Sequence, residues 1–208
     1  MKTTKEIIVN NKSLFLLSFI EGGCLMTIEI LSAKILAPFF GNSLYVWTAV
    51  LGTTLLGLAS GYFLGGKYST KTNLKKYILV CSLLPAFLIF ILPVSSQIIL
   101  KQTLGLGLEV GTITASFLLL FPIIMCFGMI SPLIISEISK DSNLAGKNAS
   151  LIYTISTVGG ILFALLTGLY FITTLGIKNT CYLTTILLLF AILIYTLSNK
   201  NSNSKELI

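Results

Sequence analysis

Residues 13–38 read SLFLLSFIEGGCLMTIEILSAKILAP. The run is long enough for a helix to cross a hydrocarbon core, which takes about 20 apolar residues. It nevertheless carries Glu21, Glu29 and Lys34. Charged side chains near the middle of a bilayer are costly, and they survive where they face a bundle interior, a wet cavity or a partner. The stretch therefore predicts a membrane helix whose charged side chains have a role inside the fold.

The composition of the whole chain agrees with a membrane protein. Its 208 residues are 55% hydrophobic and only 10% charged, with a mean hydropathy of +0.95, whereas soluble domains carry about 25% charged residues. We expect an all-α integral membrane protein with a six-helix domain over residues 13–198, between tails at 1–12 and 199–208. After the first run, the predicted spans are residues 43–66, 77–99, 110–136, 150–172 and 180–197.

The lysines predict the orientation in the membrane. All 14 basic residues are lysines, and eleven lie on the two tails, in the loop after the second span and after the fourth span. Cytoplasmic loops carry the excess of positive charge, so we expect both termini in the cytoplasm and the chain in the plasma membrane of a prokaryotic cell. The net charge of +7 then reflects topology, and nucleic acid is not an expected partner.

The residue types also bear on metals and cofactors. The chain has no histidine, and its four cysteines fall within predicted spans without a CxxC spacing. Histidine and closely spaced cysteines are the usual ligands of protein zinc sites. We therefore expect four buried thiols, with no metal site and no cofactor.

Small residues recur every four positions in the second and fifth spans. Such a stripe lets a neighbouring helix backbone approach closely. Because the middle helix of each three-helix half carries it, the pattern favours two related halves. The stripes consist of Thr53, Gly57, Gly61 and Gly65, and of Ser156, Gly160, Ala164 and Gly168. Pro122 and Pro132 interrupt the fourth span, which predicts a broken or kinked helix there.

The charges of the first span leave two interpretations open. Glu29 and Lys34 are five residues apart, so they do not share the i+3 or i+4 spacing of an intrahelical pair. Glu21 and Glu29 suit a cation site or a proton relay; alternatively, Glu29 accepts hydrogen bonds from hydroxyls of neighbouring helices. Tyr45 and Trp47, one turn into the second span, fit an interfacial anchor or a ligand cage.

Several segments resemble the membrane domain of spermidine synthase-like proteins. The first block is EILSAKILAPFFGNSLYVW at residues 29–47, followed by GYFLGGK at 61–67. Further segments are GMISPL at 128–133, AGK at 145–147, LIY at 151–153 and TVGG at 157–160. Lys34 stands where that family usually has arginine, and Ser156 stands near an expected asparagine.

In that family the membrane domain is usually fused to a cytoplasmic aminopropyltransferase-like domain, which these 208 residues lack. The resemblance implies a module that is not an enzyme on its own and that binds or transports a small cationic, polyamine-related metabolite with a separate cytoplasmic partner. Alternatives are a half-transporter that dimerises through the glycine stripes, a plain scaffold, and a membrane enzyme using the two carboxylates. The candidate ligand-binding residues are Glu21, Glu29, Lys34, Tyr45, Trp47 and Ser156.

Overall fold

Long α-helices make up the protein in this computed structural model, which describes residues 11–139 and 144–205, with side chains as far as 199. A 3-10 turn, Leu104–Leu106, precedes the fourth helix, and a π-helical turn, Thr167–Phe171, joins the last two. The predicted tail 1–12 lies outside the described residues apart from its last two. The helices are α1 (Lys12–Phe40), α2 (Leu44–Tyr68), α3 (Leu74–Thr103), α4 (Leu108–Ile138), α5 (Ala145–Leu166) and α6 (Ile172–Lys205).

The prediction of an all-helical fold with membrane-length apolar segments is confirmed. Five helical stretches in the described part of the chain are long and apolar enough to cross a membrane. The last of them, Ala145–Asn199, is 55 residues long and holds both the fifth and the sixth predicted spans.

This long stretch turns at a single glycine rather than at a polar loop. Gly176 has φ 75° and ψ 170°, a backbone conformation that residues with a Cβ rarely adopt. The Thr180 hydroxyl donates a hydrogen bond to the Phe171 carbonyl at 3.2 Å. A straight helix would separate residues nine apart by about 14 Å. The chain therefore changes direction at Gly176, within the segment predicted to link the two spans.

The expected break in the fourth span does not occur, and two helices extend beyond the predicted spans. Pro122 and Pro132 lie inside α4, which continues without a break from Leu108 to Ile138. Neighbouring helices and local adjustments can satisfy the carbonyls that a proline frees in a membrane helix. The polar segment before the fifth span is already helical from Ala145, and α6 continues through Lys205 into the predicted tail. Residues 206–208 lie outside the described chain.

The first and fourth helices form the centre of the bundle. In their apolar segments, 72% of α1 and 67% of α4 is buried, against 39% for both α2 and α3. The main helix contacts join α2, α3 and α1 to α4, join α5 and α6 to α1, and join α3 to α6. Each half thus places its first helix at the centre and packs its middle helix against the first helix of the other half.

Contacts show that α1 runs parallel to α5 and that α2 runs parallel to α4. Along α1 and α5, Ser18 bonds to Ile152 and Thr27 to Thr167, so both sequences advance together. Along α2 and α4, the Ser136 hydroxyl reaches the Ser69 carbonyl at 2.9 Å, beyond the contacts of the α2 glycines. The starts of α1, α3 and α5 and the ends of α2 and α4 consequently share one end of the bundle. We call it the lysine end, since it carries Lys12, Lys67, Lys71, Lys75, Lys76 and Lys147.

Candidate functional site

Glu21 is the charged side chain that the fold encloses most completely. It lies on the central helix α1 and is only 2% exposed. The Ser156 hydroxyl of α5 donates to its Oε2 at 3.5 Å, the outer limit of a hydrogen bond. Glu21 forms no ion pair with any described residue. The fold thus buries a carboxyl group and gives it one weak hydrogen-bond donor, although buried charges are normally paired.

Glycines bring the donor to this carboxyl. A Cβ at Gly22 would overlap the backbone and hydroxyl of Ser156, and a Cβ at Gly159 would overlap the Phe19 carbonyl. Only residues without side chains allow α1 and α5 to come this close. The contact holds Ser156 next to Glu21, so the sequence positions the pair through its neighbouring glycines.

Two tyrosines lie near the contact between Glu21 and Ser156. Tyr62 of α2 and Tyr153 of α5 meet edge to face, with ring centroids 6.4 Å apart and planes at 82°. Tyr153 precedes Ser156 by three residues, about one helical turn. The two tyrosines are 41% and 43% exposed, in contrast to the enclosed carboxyl. We define the Glu21 site as Glu21 and Ser156.

The other two charges predicted on α1 lie apart from this site. Glu29 follows Glu21 by eight residues, about 12 Å along the helix, and is half-buried. Lys34 is exposed, and the described residues give neither side chain an ion pair or a hydrogen bond. No hydroxyl of the described residues donates a hydrogen bond to Glu29, whereas one of the two interpretations expected such a bond.

The predicted aromatic pair also lies away from Glu21. Tyr45 and Trp47 are 51% and 38% exposed near the start of α2, at the end of the bundle opposite the lysine end. Tyr45, but not Trp47, borders a groove of about 590 Å³ between α2 and α4. This groove is mainly apolar, with Glu109 on its wall. The structure therefore brings together only Glu21 and Ser156 of the six candidate ligand-binding residues.

The glycine stripe of α2 packs within the chain. Gly57, Gly61 and Gly65 are buried, and a Cβ at any of them would press on α4. In α5 the close contacts to α1 fall at Gly159 and Gly160. A Cβ at Gly168, in the π-helical turn after α5, would meet nothing within 4 Å. Four of the five glycines predicted to pack helices thus contact a neighbouring helix, and Gly168 does not. The four are Gly57, Gly61, Gly65 and Gly160.

The remaining reactive side chains of the described residues do not form a metal centre. Cys24, Cys81, Cys126 and Cys181 are buried free thiols. No group of three or more cysteine, aspartate or glutamate side chains that could hold a metal ion occurs within the described ranges. The Glu21 site is therefore the principal candidate for binding.

Comparisons with known proteins add no relative: no family model, curated protein or solved structure matches the chain. The resemblance to the membrane domain of spermidine synthase-like proteins accordingly remains an expectation drawn from the quoted segments.

Sequence reasoning missed Tyr62 and Tyr153, although a signal was present. Tyr62 follows Gly61 of the small-residue stripe, and Tyr153 precedes Ser156 by three residues, on the same helix face. Each is an aromatic residue beside a small-residue helix contact. What the sequence could not show is that the two faces meet near the contact between Glu21 and Ser156.

Proposed function

We propose that this chain is a polytopic membrane module that binds or transports a small cationic metabolite, related to polyamines, at the Glu21 site. The observation that carries the proposal is a carboxyl group that is 2% exposed and has no cationic partner among the described residues. A bound cation would supply the missing partner. Buried charges in membrane helices commonly mark the path of a substrate or an ion.

The proposed topology has six crossings with both termini in the cytoplasm. The turn at Gly176 supports separate fifth and sixth crossings. The lysine end supports the orientation, because it gathers the lysines of the loops that were predicted to be cytoplasmic. The similar packing of the two halves supports a pair of inverted repeats, an arrangement common in transporters.

A cytoplasmic aminopropyltransferase-like protein is the proposed partner. The loop after α2 and the start of α5 would form its docking surface, with Lys67, Lys71 and Lys147 among the described residues; Lys140 of that surface lies outside them. Positive charge on this surface would attract an acidic face of the partner.

The dimeric half-transporter receives less support from the packing. The glycine stripes were expected to form the dimer interface, but Gly57, Gly61 and Gly65 are covered by α4 of the same chain. A dimer would have to use another face, and no described contact favours one.

A thermal-shift screen of polyamines and sulfonium metabolites tests the proposal on wild type, Glu21→Gln and Glu109→Gln in detergent. Glu109→Gln is the control, because Glu109 is an exposed acidic residue at the start of α4. A ligand at 100 times its Kd stabilises the folded state by about 2.7 kcal/mol. We expect this shift in wild type and the control, and its loss in Glu21→Gln. Equal shifts in all three proteins would remove Glu21 from the site.

The amine-dependent shift distinguishes binding from a scaffold role. Glutamine keeps an acceptor oxygen for the Ser156 hydroxyl, and it removes a carboxyl whose unpaired charge would oppose folding. Ligand-free Glu21→Gln is therefore expected to unfold at the same temperature as wild type or higher. A scaffold in which Glu21 serves only as a hydrogen-bond acceptor predicts no amine-dependent shift in any variant.

A further inference from the structure

The groove between α2 and α4 opens at the end of the bundle opposite the lysine end. Its volume of about 590 Å³ is within the range of about 300–1,000 Å³ that is usual for ligand sites. Closer to the lysine end, Gly57, Gly61 and Gly65 allow the two helices to pack against each other. At Gly52, which lines the groove, a Cβ would meet nothing within 4 Å. The two helices are therefore in close contact in one half of the bundle and leave a space between them in the other.

The groove is about as long as one leaflet of a bilayer. Its α2 wall extends from Leu44 to Leu56, about 18 Å, and its α4 wall extends from Glu109 to Phe117, about 12 Å. A hydrocarbon core is about 30 Å thick, so one leaflet contributes about 15 Å. Leu44, Leu56 and Ile113 line the groove and are more than half exposed. The groove can therefore receive a molecule that lies parallel to the lipid chains.

The two walls of the groove differ in chemistry. Below Glu109, the α4 wall consists of the apolar side chains Ile113 and Phe117. The α2 wall carries the hydroxyl groups of Thr48 and Thr53, and neither hydroxyl forms a hydrogen bond with a described residue. The groove thus combines an apolar wall with a wall that can donate hydrogen bonds.

The unpartnered hydroxyl of Thr53 contrasts with those of other buried threonines. Thr53 is only 6% exposed. The hydroxyls of Thr103, Thr112 and Thr184 each donate to the backbone carbonyl four residues earlier, whereas the Thr53 hydroxyl does not. A buried hydroxyl without a hydrogen bond opposes folding. Thr53 is therefore placed to donate to an acceptor that a ligand brings into the groove.

A glycerophospholipid has the chemistry that these walls require. Its acyl chains are apolar, and its ester carbonyls can accept hydrogen bonds from hydroxyl groups. Glu109 stands at the mouth of the groove, exposed and without an ion pair to a described residue. Its carboxylate repels a headgroup of net negative charge. The charge at the mouth therefore favours a zwitterionic headgroup over an anionic one.

We propose that this groove binds a zwitterionic glycerophospholipid of the leaflet opposite the lysine end. One acyl chain lies against Ile113 and Phe117, and the ester carbonyls accept hydrogen bonds from Thr48 and Thr53. Glu21 lies about 28 Å from the end of α1 at which the groove opens. The lipid site is thus separate from the Glu21 site, and the proposal is independent of the proposed amine binding.

Native mass spectrometry of the delipidated protein in detergent tests the site. Phosphatidylcholine is titrated into wild type, Gly52→Leu and Gly66→Leu. The Gly52→Leu side chain occupies the groove, whereas Gly66, also on α2, lies outside it and likewise has open space around its Cβ position. Because overpacking opposes binding, Gly52→Leu should raise the Kd of the first bound lipid by about tenfold or more. The matched control Gly66→Leu should stay within about twofold of wild type.

Threonine variants test the hydrogen bond to the lipid. Thr53→Val keeps the shape of the side chain and removes its hydroxyl. Thr54→Val is the control, because Thr54 is also buried and unpartnered but does not line the groove. We expect the Kd for phosphatidylcholine to rise about 2- to 10-fold in Thr53→Val, as for the loss of one hydrogen bond, and to be unchanged in Thr54→Val. Equal Kd values for the two variants would show that Thr53 does not contact the lipid.

Headgroup selectivity tests the role of Glu109. Phosphatidylglycerol with the same acyl chains should bind wild type about threefold more weakly than phosphatidylcholine, or weaker still, because like charges repel. Glu109→Gln should bring the two lipids within about twofold of each other. The comparison in wild type needs no groove variant, so it tests the proposal even if Gly52→Leu folds poorly. Equal binding of the two lipids by wild type would overturn the assigned headgroup.

Three other outcomes would also overturn the proposal. If Gly52→Leu binds phosphatidylcholine like wild type, the lipid binds elsewhere. If Gly52→Leu and Gly66→Leu lose binding equally, the groove is not the site. If wild type binds no lipid and instead forms a dimer that Gly52→Leu dissociates, the occupant of the groove is a second copy of this chain.

Discussion

Glu21 and Glu29 lie on the same helix but in different environments. Glu21 faces α5 and is enclosed by it, whereas Glu29, about 12 Å further along, is half-buried and has no hydrogen bond to a described residue. A carboxyl that retains access to its surroundings can be hydrated, so it does not need a ligand. Glu21 is therefore the stronger candidate of the two for binding a ligand.

A hydroxyl pair links α1 to the π-helical turn and allows a measurement at the residue scale. Thr27 and Thr167 are 1% and 0% exposed, and their Oγ1 atoms are 3.0 Å apart. The Thr27 hydroxyl also donates to the Gly23 carbonyl at 2.9 Å, so Thr167 supplies the proton between the pair. Hydrogen bonds between membrane helices couple by about 0.6 kcal/mol on average and up to about 1.7 kcal/mol.

We predict that a double-mutant cycle of Thr27→Val and Thr167→Val gives a coupling within this range. The readout is the free energy of unfolding in mixed micelles. Thr173→Val and its combination with Thr27→Val supply the control, because Thr173 is exposed and bonds only within its own helical segment. A coupling near zero for Thr27 and Thr167 would show that their contact does not stabilise the fold.

At this scale the sequence identified the charged residue but not all of its neighbours. Glu21 stands out because a carboxylate is rare in an apolar run, and Ser156 because it begins a small-residue stripe. The tyrosines differ: aromatic residues are common near membrane interfaces, so nothing local marks Tyr62 and Tyr153 as partners. Their contact depends on how α2 and α5 are placed around α1, which no local pattern encodes.

At the scale of elements, a single methyl group can test the close contact between α2 and α4. A Cβ at Gly61 would lie 2.8 Å from the Gly128 Cα and still closer to the Met125 carbonyl oxygen. Both are backbone atoms, so relief would require one helix to move away from the other. At Gly66, also on α2, an added Cβ would meet nothing within 4 Å.

We predict that Gly61→Ala lowers the free energy of unfolding by about 1–3 kcal/mol, the usual cost of overpacking. Gly66→Ala is the matched control and should be neutral or slightly stabilising, because alanine favours the helix over glycine. Thermal and denaturant unfolding of the two variants measure the difference. Equal stability of the two proteins would contradict the observed approach of α2 to α4.

The helices were largely predictable, and their ends were less so. Apolar runs of membrane length define α1 to α4 within a few residues, because the bilayer thickness fixes how long such runs must be. The prolines of α4 favoured a break or a kink, and the break does not occur between Leu108 and Ile138, because tertiary contacts can maintain a helix that a proline weakens. In α5 the four-residue periodicity was visible, but the closest contact falls at Gly159, one residue outside the predicted stripe.

At the scale of the whole molecule, the turn at Gly176 determines the number of crossings. We predict that Lys71→Cys reacts with an impermeant maleimide only in inside-out vesicles, and that Gly105→Cys and Lys178→Cys react only in right-side-out vesicles. Lys71 lies between α2 and α3, Gly105 between α3 and α4, and Lys178 just beyond Gly176. The unsubstituted protein, whose four thiols are buried, is the control.

Two results would contradict this topology. Labelling of Lys178→Cys from the same side as Lys71→Cys would contradict the fifth crossing, because Lys178 follows that span. Labelling of Gly105→Cys in inside-out vesicles only would reverse the whole orientation.

The global arrangement could be predicted only in part. Composition and lysine distribution indicate a helical membrane protein, because burial in lipid and the positive-inside rule act on each segment separately. The pairing of α1 with α5 and of α2 with α4 could not be read from the chain, because it joins segments more than 60 residues apart. Equivalent small-residue stripes hinted at two related halves without showing that each half packs on the other.

The packing of each half's middle helix against the first helix of the other half has a consequence for biosynthesis. While the ribosome is still translating α4, the glycine face of α2 has no helix to pack against. The face of α1 that contacts α5 stays uncovered even longer, until α5 has been inserted. The first three helices therefore cannot settle into their final positions on their own. We expect newly inserted chains to remain loosely packed and accessible to membrane chaperones and proteases until nearly the last span has left the translocon.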